Sequence, residues 1–291
     1  MALRKNKISS VLIIVLFLSN VFIWQIAYNL SERQYSKVVF FDVGQGDSIF
    51  IETPAKRQVL VDGGPGSTVL EKLGKEMSPY DRTIDLLILT HPEKDHMEGL
   101  LEVLKRYKIK NILWTGIIRD TIEWQEWADL IQKEGAEIKI AKAGDKIILQ
   151  RENPSISIDI LSPEENLEGK EFKDSNDTSI IFSLIVGYKS FLFTGDVGSS
   201  IEKKLPEEKI DVDILKIGHH GGKYSTSEWF LEKTSPEAAI ISVGENSYGH
   251  PSLEVLQRLE NFGITTFNTK ENGDIEFVSN GKNLKLVSNS N

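Results

Sequence analysis

Two successive groups of short apolar runs, each followed by segments of helical spacing, constrain the fold of this chain most. The first group lies at 38–41, 48–51, 59–61, 86–89 and 112–114, and the second at 156–161, 179–186, 190–193, 212–217 and 239–243. Short runs rich in β-branched and aromatic residues, separated by Gly and Asp turns, are typical of strands. Helical spacing follows at 97–107, 122–133, around Trp229 and at 253–259.

This order predicts an α/β protein with two sheets face to face and helices outside, a four-layer αββα sandwich over residues 37–291. A single doubly wound parallel sheet is the alternative. Such a sheet alternates strand and helix from its start, whereas the first three runs here follow one another directly.

A different pattern occupies the first thirty residues. Three of residues 4–7 are basic, and no charged residue occurs from 8 to 28, which is long enough to cross a bilayer. Residues 1–30 are therefore predicted to be a membrane anchor or signal segment, followed by a polar linker at 31–36. The basic flank favours a cytoplasmic N-terminus and an extracytoplasmic domain. Secretion after signal cleavage is the alternative, although no small-x-small cleavage site follows the run.

Composition limits the chemistry that this chain can perform. The chain has no cysteine, so any metal ion must be held by imidazole and carboxylate groups. Its formal charge is −9, and the sequence has no strongly basic stretch that would form a stable binding surface for duplex DNA. DNA remains possible as a substrate that metal ions engage directly. The sequence does not predict an oligomeric state.

All five histidines lie in segments that follow predicted strands: His91, His96, His219, His220 and His250. The segment 90–96 combines two imidazoles with two carboxylates, a donor set that Zn²⁺ or Mn²⁺ accepts. The alternative is a polar turn in which Asp95 serves as N-cap of a helix beginning at Met97.

The segment 90–96 resembles the H-x-H-x-D-H signature of the metallo-β-lactamase superfamily, in the H-x-D-x-D-H form of one branch. That branch comprises the extracytoplasmic hydrolase domain of ComEC-type competence DNA-uptake proteins and its free-standing relatives. Its other motifs follow in order at 41–48 (FDVGQGDS), 61–64 (VDGG), 176–181, 193–196 (FTGD), 216–226 and 248–251 (YGHP). Glu93 departs from the Asp usual in this branch, and Glu98 replaces a usual glycine.

The resemblance implies a site with two divalent ions, Zn²⁺ or Mn²⁺. It assigns His91 and Glu93 to one ion, and it assigns Asp95, His96 and one of His219 and His220 to the other, with Asp196 bridging both. It also suggests supporting roles: Asp95 as proton acceptor, His250 as proton donor or phosphate contact, Asp62 and Asn176 as orienting residues, and Lys223 as a phosphate contact.

The implied activity is phosphodiester hydrolysis by a metal-activated hydroxide, with DNA as a possible substrate. Because the chain has one apolar run, we expect an anchored, free-standing hydrolase rather than a channel with many spans. A hydrolase of cell-envelope phosphodiesters (phosphorylcholine-esterase-like) and a lactonase or β-lactamase-like acyl hydrolase are alternatives. A non-catalytic binding domain is a further alternative, which Glu93 motivates.

Overall fold

The computed structural model describes the backbone of residues 2–32 and 35–287, and the side chains of residues 10–27 and 35–287. The chain divides into two compact units between Tyr35 and Ser36. The first contains helix α1 (Ala2–Glu32), in which Ser10–Ala27 has a mean hydropathy of 2.2 and is apolar enough to cross a membrane. Ser19 and Asn20 donate hydrogen bonds to carbonyls one turn earlier, so the helix itself satisfies these polar side chains.

The helix continues through the first two positions of the predicted linker at 31–36. Arg33 and Gln34 lie outside the described residues. Ser36 is the first residue of strand β1.

The second unit contains two sheets. The strands of the first half are β1 (Ser36–Phe40), β2 (Ile49–Glu52), β3 (Gln58–Val61), β4 (Thr83–Ile88), β5 (Lys108–Trp114) and β6 (Glu137–Ile140). Those that follow are β7 (Lys146–Gln150), β8 (Ile156–Ser162), β9 (Ile181–Val186), β10 (Lys189–Phe193), β11 (Ile214–Lys216), β12 (Ala238–Ile241), β13 (Thr265–Asn268), β14 (Ile275–Ser279) and β15 (Leu284–Val287).

The helices of this unit are α2 (Thr68–Glu76), α3 (Lys94–Leu104), α4 (Ile122–Glu134), α5 (Ser199–Glu202), α6 (Glu228–Thr234), α7 (Leu253–Asn261) and α8 (Thr269–Asn272). Short 3₁₀ helices lie at Asn176–Thr178, Glu207–Lys209 and Gly218–Gly221. One sheet has the order β15-β14-β1-β2-β3-β4-β5-β6, and the other has the order β13-β12-β11-β10-β9-β8-β7.

Strand periodicity explains why the sheets form the middle of four layers. Alternate side chains of a strand point to opposite faces, and in β1 Val38 and Phe40 pack between the sheets while Val39 faces the helices. Across the interface, the rings of Phe40 and Phe193 stack at 5.9 Å. Helices α2, α3 and α4 cover one sheet, and α6 and α7 cover the other. The predicted αββα sandwich is confirmed, and the single doubly wound sheet is not observed.

The structure also corrects the predicted strands. Residues 176–178 form a 3₁₀ turn, so β9 begins at Ile181 rather than at 179. The sequence analysis did not predict β6, β7 or β13–β15. β6 has the sequence EIKI and is largely exposed at a sheet edge, so it lacks the apolar run that marks a buried strand.

Candidate metal centre

The predicted metal loop connects β4 to helix α3. His91 lies in this loop, and its side chain is fully buried. The helix begins at Lys94, so the prediction that it begins at Met97 with Asp95 as its N-cap is wrong. The N–H of Met97 already donates to the carbonyl of Glu93, as a residue inside the helix requires. Asp95 therefore lies in the first turn, where the positive end of the helix dipole stabilises its carboxylate.

Two imidazoles and two carboxylates converge beside this turn. Nε2 of His96 lies 3.3 Å from Oδ2 of Asp196, which follows β10. Nε2 of His220, which follows β11, lies 3.3 Å from Oδ2 of both Asp95 and Asp196. His91, His96 and Asp196 form a second group of donor atoms within 4.8 Å of one another. Residues far apart in the sequence thus meet where strands of both sheets end.

The backbone at the double histidine selects His220 over His219. Both residues have left-handed backbone conformations, with φ of 49° and 52°, which non-glycine residues rarely adopt. Nε2 of His220 faces the carboxylates, whereas Nε2 of His219 lies 3.3 Å from the side-chain amide of Asn176. The ring of His219 also packs against His250, with the ring centroids 5.2 Å apart. The structure therefore brings His220, and not His219, into the donor cluster.

Hydrogen bonds orient the two imidazoles of the cluster. Nδ1 of His96 donates to Asp62 at 2.8 Å, and Asp62 also accepts bonds from the backbone and hydroxyl of Thr90 at 2.8 and 2.6 Å. Nδ1 of His220 donates to the carbonyl of Ser242 at 2.8 Å. With Nδ1 as donor, Nε2 is the nitrogen that can present a lone pair to a metal ion. Asp62 thus lies where an orienting carboxylate is expected.

The polar atoms that face this centre fit a divalent ion. Among the described residues, four of them are buried without a hydrogen-bond partner: Nε2 of His91, His96 and His220, and Oδ1 of Asp196. Buried polar groups of folded proteins almost always have partners, because each unsatisfied group costs free energy. A metal ion bound by imidazole and carboxylate would satisfy such atoms together.

Electrostatics set the protonation of these ligands. Burial, together with the nearby charge of His96, lowers the pKa of His91 to about 3, so its imidazole is neutral at neutral pH. Burial acts in the same direction on His96 and His220, but the charge of Asp196 outweighs it and raises the pKa of both well above the ordinary value. Burial by itself would raise the pKa of Asp196. The positive charges of His220 and His96 outweigh burial and lower the pKa of Asp196 well below its ordinary value.

A buried lysine beside the centre had no assigned role in the sequence analysis. Lys216, at the end of β11, is 1% exposed and forms an ion pair with buried Asp47. Its Nζ also donates to the carbonyl of Gly195 at 3.1 Å and lies 3.6 Å from Oδ1 of Asp196. Burial disfavours its charge, but the carboxylates of Asp47 and Asp196 prevail and raise its pKa. The sequence signal was a lysine inside the apolar run 212–217.

Like His219, the predicted residues Glu93 and Lys223 lie outside the donor cluster. The carboxylate of Glu93 pairs with Arg119, Nη2 to Oε1 at 2.9 Å, and accepts a hydrogen bond from Ser175. It belongs to no group of donor atoms that could share an ion among the described residues. Lys223 forms an exposed ion pair with Glu254, 2.8 Å from Nζ to Oε1, and does not line the pocket described next.

The centre opens into a pocket of about 660 Å³. It is lined by Gln45, Glu93, Asp95, Arg119, Lys173, Asp174, Asn176, Asp196, His219, His220, Tyr248 and His250. The sequence analysis did not assign Arg119 or Lys173, which bring positive charge to the rim, or Tyr248, whose side chain is exposed. No sequence spacing indicates Arg119 and Lys173 as site residues, because they lie in loops that reach the site only in the folded protein.

Comparisons with known proteins find relatives among competence proteins and exodeoxyribonucleases. The chain is 31% identical over 262 residues to ComE operon protein 3 of Bacillus subtilis, an alignment that covers 83% of this chain and 33% of that protein. It is 24% identical over 238 residues to exodeoxyribonuclease WalJ of Streptococcus pneumoniae, an alignment that covers 77% of this chain and 84% of that protein. The chain thus spans about a third of the length of its competence relative.

A solved structure supports the fold. The metallo hydrolase Igni18 of Ignicoccus hospitalis superposes with a TM-score of 0.54 at 19% identity, covering 84% of this chain and 98% of that protein. A sequence profile described as Metallo-beta-lactamase superfamily matches residues 41–245, which include His91, His96, Asp196 and His220. On this match and the two-sheet fold, the chain belongs to the metallo-beta-lactamase superfamily, and its relatives include ComEC-type competence proteins.

Proposed function

We propose that this chain is a metal-dependent phosphodiesterase that acts on DNA or another nucleic acid outside the cytoplasm. The observation that supports this most is the cluster of Asp95, His96, Asp196 and His220, whose donor atoms converge beside an open pocket. A divalent ion bound there, Zn²⁺ or Mn²⁺, would lower the pKa of a water molecule and offset the negative charge of a phosphate group.

Asp95 would take the proton of such a water molecule. Its side chain is 35% exposed, whereas those of His96, Asp196 and His220 are at most 4% exposed, so Asp95 is the more accessible of the two carboxylates of the cluster that line the pocket. Burial acts against its charge, but a hydrogen bond from His220 and the charge of His96 lower its pKa. Asp95 is therefore ionised at neutral pH and can accept a proton during the reaction.

His250 is better suited to hold a phosphate oxygen than to start as a proton donor. Burial and the nearby charges of His219 and His220 lower its pKa, so the ring is neutral at neutral pH in the free site. Its Nδ1 has no hydrogen-bond partner among the described residues. Asn246 holds the backbone of His250 through two hydrogen bonds, 3.1 Å from the His250 N–H and 2.8 Å to its carbonyl. A neutral, positioned imidazole can donate one hydrogen bond to substrate.

The pocket rim suits a single nucleic-acid strand. Lys173 supplies positive charge beside the Arg119–Glu93 ion pair, and Tyr248 offers an exposed ring on which a base can stack. Two of its relatives are a competence protein and an exodeoxyribonuclease. Together these features favour nucleic acid over lactone and β-lactam substrates.

A substrate panel tests the activity. The full chain in detergent, loaded with Mn²⁺ or Zn²⁺, is expected to cleave bis-p-nitrophenyl phosphate and single-stranded DNA. The variant His220→Ala should lose both activities with the fold intact by circular dichroism. Lack of cleavage by the loaded protein, or equal cleavage by the variant, would contradict the proposal. Turnover of only nitrocefin, a lactone or a choline phosphodiester would support one of the alternatives.

We also propose that α1 anchors the chain with its catalytic unit outside the cytoplasm, as the basic residues at 4–7 favour. Because the chain has no cysteine, single-cysteine variants report topology directly. Tyr188, 85% exposed on the catalytic unit, is a suitable position. In intact cells, a membrane-impermeant maleimide should label Tyr188→Cys and should label Ala2→Cys only after lysis. The reverse pattern would exclude this orientation.

A further inference from the structure

One oxygen of the Glu93 carboxylate is engaged away from the donor cluster. Oε1 of Glu93 is the acceptor for both Nη2 of Arg119 and the hydroxyl of Ser175. The same guanidinium donates through Nη1 to the carbonyls of Phe172 and Lys173, at 3.0 and 3.1 Å. Arg119 is only 16% exposed, and charge-assisted contacts of this kind are the stronger hydrogen bonds in proteins. Moving Glu93 toward His91 would break this set of contacts.

Without Glu93, the two groups of donor atoms are unequal. Asp95, His96, Asp196 and His220 surround one position with two imidazoles and two carboxylates. A second position, beside His91, has one ligand of its own and would share the others. Three or four protein ligands are usual for a tightly held Zn²⁺ ion.

A fixed positive charge adjoins Asp196, the carboxylate that the two positions would share. Nζ of Lys216 lies 3.6 Å from Oδ1 of Asp196 and would compete with a second ion for that carboxylate. Like charges in a buried site repel strongly, because little water screens them. The chain thus supplies one well-formed site, and its neighbour lacks a carboxylate of its own.

We infer that this chain holds a single divalent ion tightly, on Asp95, His96, Asp196 and His220. Glu93 serves instead as a positioning residue: with Arg119 it ties the segment 172–175 to the metal loop and so forms one wall of the pocket. The inference rests on the proposed function only in that a divalent ion binds, and its tests measure binding and backbone protection without substrate.

Metal titration tests the stoichiometry. Metal-free full chain in detergent is titrated with Zn²⁺, and separately with Mn²⁺, in competition with a chromophoric chelator. We expect one tight equivalent of Zn²⁺ in the parent protein, in Glu93→Ala and in the nearly isosteric Glu93→Gln, and none in His220→Ala. Two tight equivalents in the parent protein would overturn the inference, as would loss of the tight equivalent in both Glu93 variants.

Hydrogen exchange tests whether Glu93 and Arg119 hold the segment 172–175 against the metal loop. In Glu93→Ala and Arg119→Ala, amides of the segment 172–178 should exchange about tenfold faster, the change expected for losing one charge-assisted hydrogen bond. Lys173→Ala is the matched control, since it removes a positive charge from the same pocket and leaves both side chains of the tie in place. Unchanged exchange in the first two variants, or an equal increase in the control, would refute the positioning role.

Discussion

Replacing Lys216 by methionine probes the buried charge network of the centre. Methionine keeps much of the side-chain volume and removes the ammonium, which leaves the carboxylate of Asp47 buried without its cation. Removing one partner of a buried ion pair typically costs about 3–5 kcal/mol, because the other charge remains desolvated. The lost hydrogen bond to the carbonyl of Gly195 adds to that cost. Other groups lie near Asp47, including Nδ1 of His220 at 3.5 Å, so we expect the lower end of this range.

For a unit of this size, each 1 kcal/mol lowers the melting temperature by roughly 2–4 °C. Lys216→Met should therefore melt about 10 °C below the parent protein in thermal scans of the metal-free full chain, followed by circular dichroism. Lys223→Met, which removes an exposed ion pair with Glu254, is the matched control and should not change the melting temperature.

A double-mutant cycle separates the pair from the rest of the side chain. Asp47→Leu combined with Lys216→Met removes both charges, and replacing a buried ion pair by apolar groups is often close to neutral. The double variant should recover at least about 2 kcal/mol relative to the sum of the single variants, the size of coupling seen between contacting buried groups. A loss below 1 kcal/mol for Lys216→Met, or strictly additive losses, would refute the reasoning.

Three further predictions follow from the site. Because carboxylates raise the pKa values of His96 and His220, both hold protons in the metal-free site, and metal binding must release them. The apparent metal affinity should therefore rise with pH by about tenfold per pH unit for each proton released, and an affinity equal at pH 6, 7 and 8 would contradict this. Tyr248→Ala should raise KM for single-stranded DNA by roughly 5- to 100-fold through lost stacking, whereas Tyr224→Ala, exposed outside the pocket, should leave it unchanged. Gly99→Ala should destabilise the protein by about 1–3 kcal/mol in denaturant titrations, because a Cβ there would lie 2.0 Å from a backbone oxygen; parent-like stability would show that this contact relaxes freely.

Local patterns predicted much of the fold. Apolar runs of strand length and helical spacings identified most buried elements, because burial of one face imposes a period of two or of 3.6 on the residues. The edge strand β6 and the late strands β13–β15 did not carry that signal. β14 pairs with β1 across more than two hundred residues, with Phe40 opposite Ile275. No local pattern encodes such a distant pairing.

The sequence alone determined which residue types are available for a metal centre. With no cysteine and five histidines, imidazole and carboxylate were the only strong metal ligands, and the order of the motifs indicated the family. The sequence could not distinguish His219 from His220 as the ligand, because the two histidines are adjacent and share the same neighbouring residues. Two consecutive left-handed residues make that choice by turning only the second ring toward the carboxylates.

Only the tertiary structure decided the direction of Glu93. From the sequence, this residue is a carboxylate between two histidines, at a position to which the resemblance assigned a metal ligand. In the fold, Arg119 and Ser175 reach its carboxylate from separate loops and pair with it. The Asp47–Lys216 pair arose in the same way, from residues far apart in the sequence. A side chain's identity is set locally, whereas its partners depend on the surfaces that packing brings within a few ångströms.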